Sequence, residues 1–172
     1  MTQSFALSCH PDTPCAAVET IAVTLTRHVD GALELRYRIA GQIDALRVPP
    51  QSPPTRSDAL WRHTCCELFI SDGAETYREY NFAPSGCWAA WQFTDYRTGR
   101  HDMPQPVAPQ IERAADAHTL TLTARCAAVV AGKVAIAAVI ETLDGALSYW
   151  ALRHPPGRAD FHHAAGFIEL EL

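Results

Sequence analysis

The chain has 172 residues, 48% of them hydrophobic and 19% charged, with a formal net charge of -5 at neutral pH. That length suits one full hydrophobic core and is short for two, so a single domain over residues 1–172 is expected. The acidic balance and solitary Lys133 exclude the clustered basic surface that nucleic acid needs. No apolar run reaches membrane-spanning length, and the opening MTQSFALSCHPDTPC lacks the charged and apolar regions of a signal peptide, so the expected location is the cytoplasm.

Taken in order, Phe5 to His10 reads as a short edge strand, followed by a proline-interrupted loop. Val18 to Arg27 and Leu33 to Ile39 alternate apolar and polar residues across an Asp30-Gly31 turn, which predicts a hairpin. Gly41 separates a further short strand, Ile43 to Val48. The proline-rich segment Pro49 to Ala59 cannot sustain a ladder and is read as a loop. Leu60 to Arg97 then holds three antiparallel strands, broken at Asp72-Gly73 and at Pro84-Ser85-Gly86. Thr98 to Pro106 is a loop. Val107 to Arg113 and His118 to Cys126 form a second hairpin, and Ala127 to Ala131 adds one helical turn. Val134 to Thr142 is apolar enough for a central strand, which Asp144-Gly145 turns into Leu147 to Arg153. A last loop precedes a terminal strand, Phe167 to Leu172. About ten short strands and no ordinary helix predict an all-β protein, a two-sheet antiparallel β-sandwich.

The six cysteines contain no CxxC pair and are read as small buried hydrophobes, Cys65 and Cys66 pointing to opposite faces of one strand.

Side-chain parity sorts the central three strands into faces. Placing Leu68, Ile70, Tyr80 and Phe82 toward the core sends Glu67, Tyr77, Glu79 and Asn81 to the opposite face. With a four-residue loop from Ala83 to Gly86, Trp88 and Gln92 join that face while Trp91 and Phe93 turn inward; a loop one residue shorter exchanges the two sets. Carboxylates, an amide and aromatic rings on one face suit a polyhydroxylated ligand, because rings stack on the C–H face of a sugar while the polar groups take its hydroxyls. Two acids on adjacent strands repel unless something organises them: Arg62, Arg78 or Arg97 in a salt bridge, a bound cation, or a sugar.

The succession Trp61-x5-Glu67, Tyr77-x-Glu79-Tyr80-Asn81-Phe82-x-Pro84-Ser85-Gly86-x-Trp88, Asp95-Tyr96-Arg97 and Asp160-Phe161-His162 resembles the DOMON-like superfamily, and within it the bacterial branch similar to family-9 carbohydrate-binding modules. The resemblance implies a jelly-roll-like sandwich whose members bind sugars or haem. In the sugar-binding modules a tryptophan stacks on the ligand and an acid six residues later takes its hydroxyls, as Trp61 and Glu67 would. Their Arg-x-Asn pair is Glu79-x-Asn81 here, a cation exchanged for an anion. A second stacking ring comes from near the C-terminus, a place for Phe161 or Trp150.

The expectation is therefore non-catalytic binding of a small saccharide. A glycosidase using Glu67 and Glu79 is the enzymatic alternative, unsupported by any other catalytic motif. The haem alternative needs Met103 with His101 or Lys133. A structural calcium would draw on Asp72, Asp95, Asp102 and Asp160, whose spacing matches no compact calcium loop. An exposed edge strand near either terminus would allow a homodimer, and a protein-interaction module is the remaining alternative.

Overall fold

Alternation in the sequence becomes alternation in burial: Leu33, Leu35, Tyr37 and Ile39 are fully buried, whereas Arg36 and Arg38 between them face solvent. The computed structural model describes residues 1–71, 75–103, 107–127 and 132–170. These residues hold β1 (Thr2–Cys9), β2 (Val18–Arg27), β3 (Leu33–Gly41), β4 (Cys65–Ser71), β5 (Tyr77–Phe82) and β6 (Trp88–Phe93). After them come β7 (His101–Asp102), β8 (Gln110–Ala115), β9 (Thr119–Cys126), β10 (Lys133–Glu141), β11 (Leu147–Ala151) and β12 (Ile168–Glu169). No helix among the described residues is long and apolar enough to cross a membrane.

The strands pair antiparallel in the order β7-β6-β5-β4-β10-β11-β1-β2-β3-β9-β8, with β12 added to β10. The expected all-β antiparallel fold is present as one large curled sheet, without a clear division into the two sheets of a sandwich. The cause is β1. Its residues Thr2 to Leu7 pair with β2, while Ser8 and Cys9 pair with β11, so one strand serves both halves. The N-terminal strand therefore joins the two halves, paired with β2 over Thr2 to Leu7 and with β11 only at Ser8 and Cys9.

The two halves close on a shared core that includes Leu25, Leu35 and Leu122 from one side and Leu68, Phe82, Ile136 and Trp150 from the other. Across it the Tyr37 hydroxyl donates a 2.8 Å hydrogen bond to the Glu67 carbonyl, tying β3 to β4. The half that contains β4 and β10 is buried on both faces. Behind it a second cluster, Phe69, Tyr77, Phe93 and Ala135, packs with Phe161 and Phe167 of the last loop. Burial on both faces explains why β10 reads as a continuous apolar run.

Ile43 to Val48 is not a strand. It holds a 3-10 turn over Ile43–Ala45 and an isolated bridge from Leu46 to Thr142. The chain bends away at Gly41 (φ +149), where a Cβ would stand 2.1 Å from the Ala17 carbonyl oxygen. The expected Asp72-Gly73 turn, residues 104–106 of the loop after β7, most of the Ala127 to Ala131 helical turn and the end of the terminal strand at 171–172 lie outside the described residues.

Candidate functional site

The β5–β6 hairpin decides which aromatic rings meet the acidic face. Ala83 N–H donates to the Cys87 carbonyl (2.9 Å), so Ala83 and Cys87 still pair and only Pro84, Ser85 and Gly86 form the loop. Gly86 (φ +92) donates to the Ala83 carbonyl, giving a turn closed by a left-handed residue, the usual three-residue hairpin. The register follows: Phe82 opposes Trp88, Glu79 opposes Trp91, and Tyr77 opposes Phe93. Trp88 and Gln92 thus stand on the core side, and Trp88 is buried there at 6% exposure. Trp91 and Phe93 join the acidic face, correcting the four-residue-loop assignment.

On that face β4 and β5 place Glu67 opposite Asn81 and Phe69 opposite Glu79, so the two carboxylates are diagonal neighbours. Both are buried, at 3% and 5% exposure. Asn81 Nδ2 donates to Glu79 Oε1 (2.6 Å), and the Cys65 thiol donates to Asn81 Oδ1 (3.5 Å). Asn81 therefore serves Glu79 from below and is itself buried. Glu67 is different, because its Oε1 is buried with no hydrogen-bond partner among the described residues. Burial, then the Glu79 charge, pushes Glu67 well above the usual carboxylate range, with Arg97 opposing. Burial also raises Glu79, against the Asn81 hydrogen bond and the Arg100 and Arg97 charges.

A third acid on the same face provides the contrast. Glu141, at 7% exposure, receives Arg47 Nε at 3.1 Å and faces His63 Nδ1 at 2.7 Å. Where the fold needs a buried carboxylate for structure, it supplies partners; at Glu67 it supplies none.

Over these residues lies a recess of about 320 Å³. Its floor is Glu67, Glu79, Phe93, Val139 and Tyr149; the last loop contributes Ala159, Phe161 and His162; Trp61, Arg97 and Arg100 complete the lining. Trp61 is 45% exposed on a 3-10 turn, Leu60–Arg62, entered through Ala59 in the left-handed region (φ +58). Asp58 fixes that entry by accepting the Ala59 amide (2.6 Å) and Arg100 (3.3 and 3.4 Å). Trp91 lies below Arg100, whose guanidinium is 4.5 Å from the ring centroid.

The last loop is held by Asp160, which accepts from the Tyr96 hydroxyl, Arg97 Nη2 (2.7 Å) and the His162 amide (3.1 Å). The Tyr77 hydroxyl accepts the Arg97 amide (3.1 Å) and lies 2.7 Å from His162 Nδ1, while His162 Nε2 stands 3.8 Å from Glu79 Oε2. Burial, then Arg97, lowers His162 to about 4, so it is neutral at physiological pH. A larger depression of about 600 Å³ lies beyond Tyr77 and His162; its one lysine, Lys133, already pairs with Glu169 at 3.5 Å.

Of the residues singled out in the sequence, Trp61, Glu67, Glu79 and Phe161 line one recess. Tyr77 and Asn81 support it, while Trp88 and Gln92 stand behind the sheet. Trp150, the other choice for the second ring, is in the core. Sequence reasoning missed Phe93, Tyr149, Arg100 and the lining role of His162; Arg97, named there as a salt-bridge candidate for the acids, lines the recess with its guanidinium held by Asp160. The Pro-Ser-Gly loop was the signal for Phe93; nothing local signals Tyr149.

The haem ligands do not converge. Lys133 on β10 lies four strand spacings, roughly 19 Å, from β7, next to which Met103 stands, and His101 Nδ1 pairs with the Gly99 carbonyl (2.7 Å). Met103 packs against the core behind the sheet. The acids expected for calcium have separate partners: Asp102 binds Arg56, Asp160 binds Tyr96 and Arg97, and Asp95 caps the Tyr96 amide. Asp72 lies outside the described residues, among which no cluster of three metal-ligating side chains occurs.

No protein-family model matches the chain, and no curated protein matches it. Its fold is shared. A crystal structure from Bacteroides uniformis superposes with a TM-score of 0.64 over 97% of this chain and 84% of that one, at 15% identity. That protein's name gives carbohydrate binding as an inferred role.

Proposed function

We propose that the chain binds a small saccharide in the recess between Trp61, Phe161 and the Glu67–Glu79 face, and does not transform it. The observation that carries this reading is the buried, unpartnered Glu67 carboxyl at the floor of an aromatic-walled recess. A sugar hydroxyl at the recess floor would give the Glu67 carboxyl a partner, while Trp61 and Phe161 are placed to cover the apolar face of a ring. The volume is near the lower end of the roughly 300 to 1,000 Å³ range of ligand pockets, which favours one or two sugar units over a polymer.

Two further points support the reading. In the resemblance to the sugar-binding branch of the DOMON-like superfamily, Trp61 and Glu67 match the stacking and hydroxyl-binding pair, and both line the recess. The fold neighbour carries an inferred carbohydrate-binding role in its name.

The test is a thermal-shift series against neutral mono- and disaccharides, with Trp61→Ala alongside. A ligand bound only by the folded protein raises Tm, by an amount set by its concentration relative to Kd. Stabilisation by a sugar that disappears in Trp61→Ala is the expected outcome. Stabilisation that survives the substitution would place the ligand elsewhere.

A further inference from the structure

We propose that the recess selects a saccharide carrying a free, protonated amino group, which sits against Glu67 at its floor. This inference rests on the saccharide reading above and names the ligand class more closely.

Charge and its compensation around the floor carry the argument. Glu67 and Glu79 are diagonal neighbours on β4 and β5, both almost wholly buried. No described cation pairs with Glu67. Arg97 and Arg100 do reach the recess, but Asp160 and Asp58 hold their guanidinium groups, and both side chains are about half exposed, at 50% and 45%. His162 approaches only Glu79, and as a neutral ring. The floor therefore has acidic groups and no cation of its own bound to them, whereas Glu141 on the same face has two basic partners.

A neutral sugar would supply a hydrogen bond to the Glu67 carboxyl and nothing to stabilise its ionised form, which burial and the Glu79 charge disfavour. An ammonium group supplies both, with three N–H donors for Glu67 and for the free valence of Glu79. The walls suit a cation as well. Trp61, Phe93, Tyr149 and Phe161 present aromatic rings around the space, and aromatic faces attract ammonium groups in desolvated sites. N-acetylation would remove the charge and replace two donors with an acetyl group, so the acetylated sugar should be rejected.

The experiment is isothermal titration of the wild-type chain at pH 6.5 with D-glucosamine, D-glucose, N-acetyl-D-glucosamine and cyclohexylamine. Glucosamine should bind about tenfold or more tightly than glucose, with N-acetylglucosamine weakest among the sugars. In Glu67→Gln, checked for folding by its near-ultraviolet circular dichroism, the preference for glucosamine over glucose should vanish while glucose binding persists. Equal affinity for glucosamine and glucose would overturn the amine inference and leave the saccharide reading standing. Cyclohexylamine binding as tightly as glucosamine would overturn the saccharide reading, and the amino-sugar inference with it. Binding of none of the four overturns the amino-sugar inference; the neutral-sugar panel with Trp61→Ala then decides the broader reading alone.

Discussion

Replacing Glu67 by glutamine should change how stability depends on pH. A carboxyl whose folded pKa lies above its unfolded value holds an extra proton in the folded state between the two. Its contribution is complete below the unfolded value, about 4.3 for glutamate, and is lost as pH rises toward the folded value. Glu67 is raised in this sense by burial and by Glu79. While it holds one extra proton, stability falls by about 1.4 kcal/mol per pH unit, a ceiling of roughly 2.7 kcal/mol between pH 5 and 7. His162 acts in the opposite direction. Lowered from 6.5 to about 4, its contribution is complete above pH 6.5 and is lost as pH falls toward 4. That contribution is worth about 3 kcal/mol. The two slopes offset one another in the wild type from pH 5 to 6.5, and above that range the Glu67 slope remains. Glu67→Gln removes the downward slope, so its stability should rise to about pH 6.5 and then level. Urea unfolding followed by tryptophan fluorescence at half-unit intervals from pH 5 to 8 measures the difference. Parallel curves, differing in slope by less than about 0.3 kcal/mol per pH unit, would show that Glu67 is ionised in the folded protein and that its burial has been misjudged.

Trp61 and Trp88 should separate cleanly under alanine substitution. Trp61→Ala should leave stability within about 0.5 kcal/mol, whereas Trp88→Ala should cost about 3 to 5 kcal/mol, because only Trp88 fills the core; equal losses by urea unfolding would contradict the hairpin register. Tyr37→Phe removes the hydroxyl that reaches the Glu67 carbonyl and should cost about 1 kcal/mol, seen as a lower urea midpoint at unchanged m-value. No loss would mean that this cross-core bond is replaced by solvent.

Parity was enough to read the acidic face. Glu67, Glu79 and Asn81 alternate with Leu68, Tyr80 and Phe82, and a period of two leaves no freedom once one face is buried. The third strand depended on a loop count, and counting Ala83 as loop reversed every side chain from Trp88 to Phe93. Its amide still belongs to the ladder, and the left-handed Gly86 makes the shorter loop. The position of β1 was illegible for a different reason. A strand paired on one side and a strand paired on both have the same local pattern, and its partner β11 lies more than a hundred residues away. The far wall of the recess has the same character: Tyr77 meets His162 across a separation of 85 residues. Short-range alternation reports which way a side chain points, and contains nothing about which distant loop will cover it.

The double pairing of β1 also constrains the order of events during synthesis. Growth from the N-terminus delivers β1, β2 and β3 as a meander whose first strand already has one neighbour. Its other neighbour, β11, emerges last but one of the strands, and until then Ser8 and Cys9 have no ladder to join. The seam that unites the two halves of the sheet is thus a late, long-range contact, of the kind that slows folding. Through that interval the growing chain keeps an open strand end at Ser8 and Cys9 of β1, which a chaperone or a neighbouring nascent chain could occupy before β11 arrives.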